Sequence, residues 1–151
     1  MNNNTLPVRN IVGLIVFDGE KFLILHRKLN WKGWEYPKGG IEEGETHEEA
    51  IKRELWEETG LERYELIGKI SEFEFIDKAR NRKGHTYNYL LRVPSTAVVK
   101  INNEHVLDKE IVLEHDDFKW CLPKEAIKLL THKDMKISLK KALDHLGIES
   151  K

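Results

Sequence analysis

The stretch GGIEEGETHEEAIKRELWEETGL, residues 39–61, constrains the fold of this chain more than any other segment. Thr46 is placed to cap the start of a helix, and Glu49 stands three residues later as its capping-box partner. Gly60 is placed to end the helix, because glycine readily adopts the left-handed conformation common at helix C-termini. The stretch therefore predicts a glycine-rich loop and then a helix to about residue 59, whose apolar positions are Ala50, Ile51 and Leu55.

Three carboxylates of the predicted helix, Glu54, Glu57 and Glu58, share one face because residues three or four apart are neighbours. Lys52 and Arg53 precede this cluster, but no basic residue follows it within the helix. The repulsion can be relieved by solvent on an exposed acidic face or by a bound divalent cation. Carboxylate oxygens suit Mg²⁺ or Mn²⁺. Taken alone, the cluster leaves both interpretations open.

The loop before the helix favours the cation site. Gly39, Gly40 and Gly44 allow the backbone to approach a ligand closely. Lys38 supplies a cation for phosphate, and the start of the helix supplies backbone N–H donors. Donors for phosphate beside acceptors for metal are what pyrophosphate chemistry on Mg²⁺ requires.

At these positions the chain resembles the Nudix (MutT-like) hydrolase family, whose box reads G-x5-E-x7-R-E-U-x-E-E-x-G-U, with U aliphatic. The resemblance implies an α/β fold, an α/β/α sandwich with a mixed β-sheet, a central box helix and a C-terminal helix. It also implies hydrolysis of a phosphoanhydride in a nucleotide. The defined positions of the box are filled by Gly39, Glu45, Arg53, Glu54, Leu55, Glu57, Glu58, Gly60 and Leu61.

The same resemblance implies catalytic and metal-binding roles for individual residues. The three clustered acids bind Mg²⁺ or Mn²⁺ together with the backbone carbonyl of Lys38. Arg53 orients these acids through salt bridges, and Glu45 supports the loop. Glu54 is the first choice for the base that takes a proton from the attacking water, although other members of the family use a base outside the box.

Outside the box, the segments WEYPKGGIEEGE, KARNRKGHTYNYLLRV and EHDDFKWCLPKEAIKLL resemble the diadenosine tetraphosphate hydrolase branch of the family. By this resemblance Glu114 is a further metal ligand or else a surface acid. Tyr89 and Phe118 sandwich an adenine or else belong to ordinary core packing. His115 either assists phosphate binding or is structural.

Further substrate contacts are predicted in the glycine loop and on two strands. Lys38, Gly39 and Gly40 would contact the phosphates. Lys83 belongs to a basic turn at residues 76–85, which is either a clamp for a long polyphosphate or plain surface. Arg27, at the end of the second predicted strand, is a phosphate candidate.

The other elements follow from the hydrophobic pattern and the turn residues. Residues 28–40 are predicted to be a loop. Pro123 opens a helix to residue 130, and an amphipathic helix follows at residues 133–146. The predicted strands are residues 8–17, 21–27, 64–75, 86–93, 97–101 and 116–122.

Composition narrows the class of protein. A chain of 151 residues suits one domain, with residues 1–6 predicted to be frayed. The 25 basic and 26 acidic residues give a net charge of -1, so no basic excess points to duplex DNA or to an anionic membrane. No apolar run approaches the roughly 20 residues that cross a bilayer. A single cysteine, Cys121, favours a reducing, cytoplasmic setting.

The leading hypothesis is a Mg²⁺-dependent bis(5′-nucleosyl)-tetraphosphatase, which converts diadenosine tetraphosphate to ATP and AMP. The alternative enzymes are an RNA 5′-pyrophosphohydrolase and a pyrophosphatase for oxidised nucleoside triphosphates. A Nudix-fold sensor that binds nucleotide without turnover is the competing class, but such proteins usually lack box acids that this chain keeps. The partner is thus a nucleotide, an RNA 5′ end included, and no oligomeric state is predicted.

Overall fold

A computed structural model describes residues 6–101, 104–107 and 110–148, with side chains for residues 6–101 and 114–148. The helices are α1 (His47–Thr59), α2 (Pro123–Leu129) and α3 (Lys133–Leu146). The strands are β1 (Val8–Phe17), β2 (Phe22–Arg27), β3 (Gly33–Glu35), β4 (Lys38–Gly40), β5 (Glu65–Asp77), β6 (Arg82–Arg92), β7 (Glu104–Leu107), β8 (Glu110–Leu113) and β9 (His115–Cys121).

The main sheet is mixed and is built around β1. This strand pairs in parallel with β6, and β6 pairs with β5 in a long antiparallel hairpin. On its other edge β1 pairs with β2 at Phe17 and with β4 at residues 11–13. β2 in turn carries β3 and β9. β7 and β8 pair only with each other among the described strands.

The two faces of the sheet are covered by different helices. One apolar cluster joins alternate residues of β1 and β2 to α1, and the other joins the intervening residues to α2 and α3. A strand buried on both faces needs a continuous apolar run, which is what residues 11–17 provide. The predicted α/β/α sandwich with a mixed sheet is therefore confirmed.

The local signals that predicted the helices are present in the structure. Thr46 and Glu49 form the complete capping box of α1, and Gly60 ends the helix with φ 73°. Pro123 stands in the first turn of α2, and α3 has the predicted bounds. The stripe of α3 buries Met135, Leu139, Ala142 and Leu143.

The predicted loop at residues 28–40 is wrong in part, because it contains β3 and β4. β3 pairs with the end of β2, and β4 pairs with β1. These short strands exist because distant edges offer hydrogen-bond partners, which a glycine- and proline-marked segment does not reveal on its own.

The predicted strand at residues 97–101 is also wrong. No strand is assigned there; instead Val99 is buried and packs in the cluster beneath α1, and the Lys100 N–H donates to the Thr59 carbonyl at 2.8 Å. Its apolar residues serve packing against the end of the helix rather than a sheet.

Several predictions extend beyond these observations. The fraying predicted for residues 1–6 lies, apart from Leu6, outside the described residues. No helix in the described part of the chain is long and apolar enough to cross a membrane. The single-domain organisation and the cytoplasmic location stay predictions.

Candidate metal and nucleotide site

The glycine loop and the box helix meet at Gly39 and Glu54. β4 places Gly39 against α1, so closely that a Cβ on Gly39 would overlap the carboxyl group of Glu54. Glu54 is 7% exposed. The box glycine is therefore required for space: the acid occupies the volume that any other side chain would fill.

Arg53 connects the loop to the acids of α1. Its Nε and Nη2 donate to the two carboxylate oxygens of Glu45 at 2.7 and 2.8 Å, and Nη2 also donates to the Gly40 carbonyl at 2.8 Å. Its Nη1 donates to Glu54 at 2.6 Å and to Glu57 at 3.2 Å. The geometry is the one expected for an arginine that orients the acids, although its catalytic contribution stays a prediction.

A buried chain of charges lies behind Glu58. Nδ1 of His115 lies 3.1 Å from Oε2 of Glu58, and Nε2 of His115 lies 2.8 Å from Oε2 of Glu35. Burial works to lower the pKa of His115, but its contacts with the two carboxylates outweigh burial and raise the pKa. The imidazolium form of His115 therefore links the two acids.

Glu35 is the anionic centre of this chain, and it is fully buried. Burial works to raise its pKa, but the hydrogen bond with His115 and the charges of Lys38 and Arg27 hold the pKa at about 2. Arg27 Nη1 lies 3.1 Å from Glu35 and 3.0 Å from Glu114. The predicted phosphate candidate Arg27 is thus engaged by two carboxylates, and it ties Glu114 to the site.

The acids of α1 offer the oxygen ligands that a divalent cation prefers. Burial and the negative charges of Glu57 and Glu114 raise the pKa of Glu54 to about 7, against the opposing effect of Arg53. Burial also raises the pKa of Glu58, with contributions from Glu114 and Glu54 and against the opposing effect of His115. It is unfavourable for these neighbouring carboxylates to be ionised at the same time. A cation that prefers oxygen ligands would supply the positive charge that stabilises their ionised forms.

A second grouping does not fit a metal as well. Ligand atoms of Glu35, Glu114 and His115 lie within 4.8 Å of one another. However, Arg27 already bridges the two acids, and His115 bonds Glu35. A cation placed among these three residues would compete with a guanidinium. Metal binding by Glu114 stays a prediction.

A cleft of about 320 Å³ opens on the sheet face that carries α2 and α3. Its floor includes Gly13 and Asn88, and Trp31 and Phe75 stand among its walls. Lys38 lines the cleft while its backbone precedes Gly39 on β4. Lys38 therefore connects the cleft to the acids of α1. The other residues that line the cleft are Tyr36, Thr86, His132, Asp134 and Met135.

The cation beside the cleft is Arg9 rather than Lys83. Lys83 pairs with Val8, whereas the next residue, Gly84, pairs with Arg9. Adjacent residues of a strand point to opposite faces. Phe75 packs on Gly84 and lines the cleft, so Lys83 points away from it.

Arg9 was not among the predicted residues. Its guanidinium lies over Gly40, because a Cβ there would stand 3.0 Å from Nη2 of Arg9. Partial burial and the charge of Arg82 lower the pKa of Arg9, while Glu54 raises it. The side chain thus lies between the basic hairpin and the acids of α1.

The structure does not bring Tyr89 and Phe118 together. Tyr89 is on β6 and Phe118 on β9, with β1 and β2 between them. The Tyr89 hydroxyl contacts Nδ1 of His47 at 2.7 Å, and Phe118 is 37% exposed. A shared adenine between these two rings is therefore not supported, and separate contacts of either ring with substrate stay predictions.

The contributions of Glu35 and Arg9 were missed because nothing in their spacing relates them to the box. Glu35 did leave one signal: it stands between Trp34 and Tyr36, in a segment where an exposed acid would be unusual. Arg9 precedes an apolar run, and no such signal marks it in the sequence.

Comparison with known proteins agrees with this geometry. A family model described as NUDIX domain matches residues 7–146. An RNA pyrophosphohydrolase of Bartonella bacilliformis is 31% identical, over 88% of this chain and 91% of the relative. An RNA pyrophosphohydrolase of Sulfurovum sp. is 27% identical, over 83% of this chain and 80% of the relative.

Solved structures show the same fold. A C. elegans Ap4A hydrolase in a binary complex superposes with a TM-score of 0.75 at 22% identity, covering 92% of this chain and 98% of that one. A MutT protein from Methanosarcina mazei Go1 gives a TM-score of 0.70 at 20% identity, covering 96% and 99%. With the complete box motif on α1 and a family match that spans residues 7–146, the chain belongs to the Nudix hydrolase family.

Proposed function

We propose that this Nudix hydrolase cleaves a phosphoanhydride in a nucleoside 5′-polyphosphate, with a divalent cation held by the acids of α1. The observation that supports this most is the position of Lys38. Its backbone continues into Gly39, which packs on Glu54, and Lys38 itself lines the cleft, with its Nζ 3.5 Å from Oε1 of the buried Glu35. A nucleoside in the cleft would therefore direct its phosphates past Lys38 toward the carboxylates.

Each residue of the site then has its own chemical role. Mg²⁺ or Mn²⁺, held by Glu54, Glu57, Glu58, Glu114 and the Lys38 carbonyl, would neutralise phosphate oxygens and acidify a bound water. Glu54 is the residue that we expect to take the proton of the attacking water. Arg53 keeps the Glu54 carboxylate in place, and substrate contact by Gly39 and Gly40 stays a prediction.

Diadenosine tetraphosphate is the leading substrate. One adenosine would occupy the cleft, and the tetraphosphate would cross the acids of α1. Arg9 lies between these acids and Arg82, where it could neutralise part of a long polyphosphate. The products would be ATP and AMP.

A 5′-triphosphorylated RNA end is the second candidate. It is favoured by the similarity to the RNA pyrophosphohydrolase of Bartonella bacilliformis. The same acids and basic side chains would serve this substrate, because its first nucleotide carries a comparable polyphosphate.

The test is a direct competition between substrates. Purified protein with Mg²⁺ would be offered diadenosine tetraphosphate, triphosphorylated RNA and oxidised dGTP, and initial rates would be compared. Faster release of ATP and AMP from the dinucleotide supports the leading substrate, and heavy-oxygen water would show which phosphorus is attacked. Faster release of pyrophosphate from RNA would select the second candidate.

Glu57→Gln and Glu58→Gln serve as the controls for this experiment, because contaminating phosphatases would be indifferent to them. If wild-type protein hydrolyses no substrate of the panel, or if both variants retain full turnover, the proposal is wrong.

A further inference from the structure

A buried amide on the floor of the cleft is held by two serine hydroxyls. Asn88 is 4% exposed. Its Nδ2 donates to Ser71 Oγ at 3.2 Å and to Ser138 Oγ at 3.3 Å. The two serine oxygens are themselves 2.7 Å apart. Ser138 belongs to α3, so this network ties β5 and β6 to the helix above the sheet.

The contact between the two serines favours this orientation of the amide. One serine proton is used between the two oxygens, so at most one hydroxyl proton remains for Asn88. Nδ2 can donate to both serine oxygens, whereas Oδ1 in its place could accept from only one hydroxyl. The amide therefore has Nδ2 toward the serines and Oδ1 away from them.

The freed Oδ1 is directed onto the floor of the cleft. Gly13 pairs with Asn88 on one side and with Lys38 on the other. A Cβ at Gly13 would overlap Asn88 Oδ1, so the glycine makes room for this oxygen. Within residues 6–101 and 114–148, no donor bonds to Asn88 Oδ1. An amide oxygen that borders the cleft and receives no hydrogen bond from these residues can accept one from a ligand N–H.

We propose that Asn88 reads the edge of the nucleobase: its Oδ1 accepts an N–H from a purine in the cleft, which selects bases that donate there, adenine or guanine. The presence of a nucleobase in the cleft rests on the proposed function. Trp31 and Phe75 offer aromatic faces on which the ring stacks. Lys38, at the same level of the sheet, lies toward the phosphate end.

Binding of nucleoside monophosphates tests this inference without requiring turnover. The wild-type protein would be titrated calorimetrically with AMP, GMP and purine riboside 5′-monophosphate, which has the purine ring but no N–H on its base edges. We expect AMP or GMP to bind about tenfold more tightly than the donor-free analogue, as one satisfied buried hydrogen bond predicts. Which of the two binds more tightly identifies the base.

Two variants test whether this preference depends on Asn88. Asn88→Leu has a similar size but no acceptor, so the preference should fall to about equal binding. Asn10→Leu is the matched control, because Asn10 is exposed on β1 and pairs with His85. It stands three residues before Gly13 and therefore on the other face of the sheet. This control variant should bind all three ligands as wild type does.

Equal binding of the three ligands by wild-type protein would overturn the inference, as would a preference that survives in Asn88→Leu. If Asn88→Leu fails to fold, Gly13→Ala replaces it, because the added methyl displaces Oδ1 and should abolish the preference. A protein that prefers AMP or GMP but hydrolyses no polyphosphate would contradict the proposed function and leave the role of Asn88 intact.

Discussion

Glu58 is the acid of α1 whose position most depends on its neighbours. It is 4% exposed, and His115 fixes one of its oxygens. Glu58→Gln keeps the shape but removes the charge, so we expect the affinity for Mg²⁺ to fall at least about tenfold with the fold retained. Calorimetric titration with Mg²⁺ measures this. Glu48→Gln, on the exposed first turn of α1, is the control, and equal affinities in the two variants would contradict a metal role for Glu58.

Glu35 has a structural task that Glu58 does not share. It is fully buried and faces three basic side chains, those of Arg27, Lys38 and His115. Glu35→Gln leaves these charges without their anion, so we expect the free energy of unfolding to fall by about 3 kcal/mol. Urea denaturation checks the value against Glu43→Gln, an exposed acid of the loop. A loss no larger than that of the control would show that the charges find other partners.

At the scale of elements, the contact of β4 with α1 positions the acids. In Gly39→Ala the new methyl must displace the Glu54 carboxyl group. A shift of about 1 Å in a catalytic group can cost about 100-fold in rate, so we expect a loss of that order with unchanged circular dichroism. Gly68→Ala, which adds a methyl in open space on β5, should leave the rate unchanged. Full activity in Gly39→Ala would mean that Glu54 need not occupy this position.

Helices and strands differ in how well the sequence predicts them. The caps of α1 and the stripe of α3 are local, so both helices were predicted within about a residue of their ends. β3 and β4 were missed and residues 97–101 were misassigned, because strand pairing there depends on distant partners. The box acids could be predicted since α1 alone sets their spacing. Glu35 and Arg9 could not, because strand register brings them to the site.

For the whole molecule, the crowded acids predict a dependence of stability on pH. The pKa of Glu54 is raised from 4.5 to about 7 in the metal-free protein. Its protonation stabilises the fold below the unfolded pKa, and this stability is lost as pH rises through about 7. Glu58 shifts in the same direction.

Mg²⁺ should remove this decline in stability, since its ligands must be ionised. We expect urea denaturation with EDTA to show a decline in stability from about pH 5 to about pH 8, and saturating Mg²⁺ to remove it. Mg²⁺ affinity should rise over the same window, with release of protons on binding. In Glu54→Gln both effects should be smaller. A metal-free stability that rises with pH across this window would contradict the assigned shifts.

One measurement tests most directly whether the acids of α1 bind the cation that hydrolysis needs. It is the rate of diadenosine tetraphosphate cleavage as a function of free Mg²⁺, compared between wild-type protein and the double variant Glu57→Gln/Glu58→Gln. Wild-type protein should show no turnover in EDTA and a saturable rise with Mg²⁺, and the double variant should lose most of its rate and need more Mg²⁺. Cleavage that persists in EDTA, or identical Mg²⁺ curves for the two proteins, would show that hydrolysis does not depend on a cation at these acids.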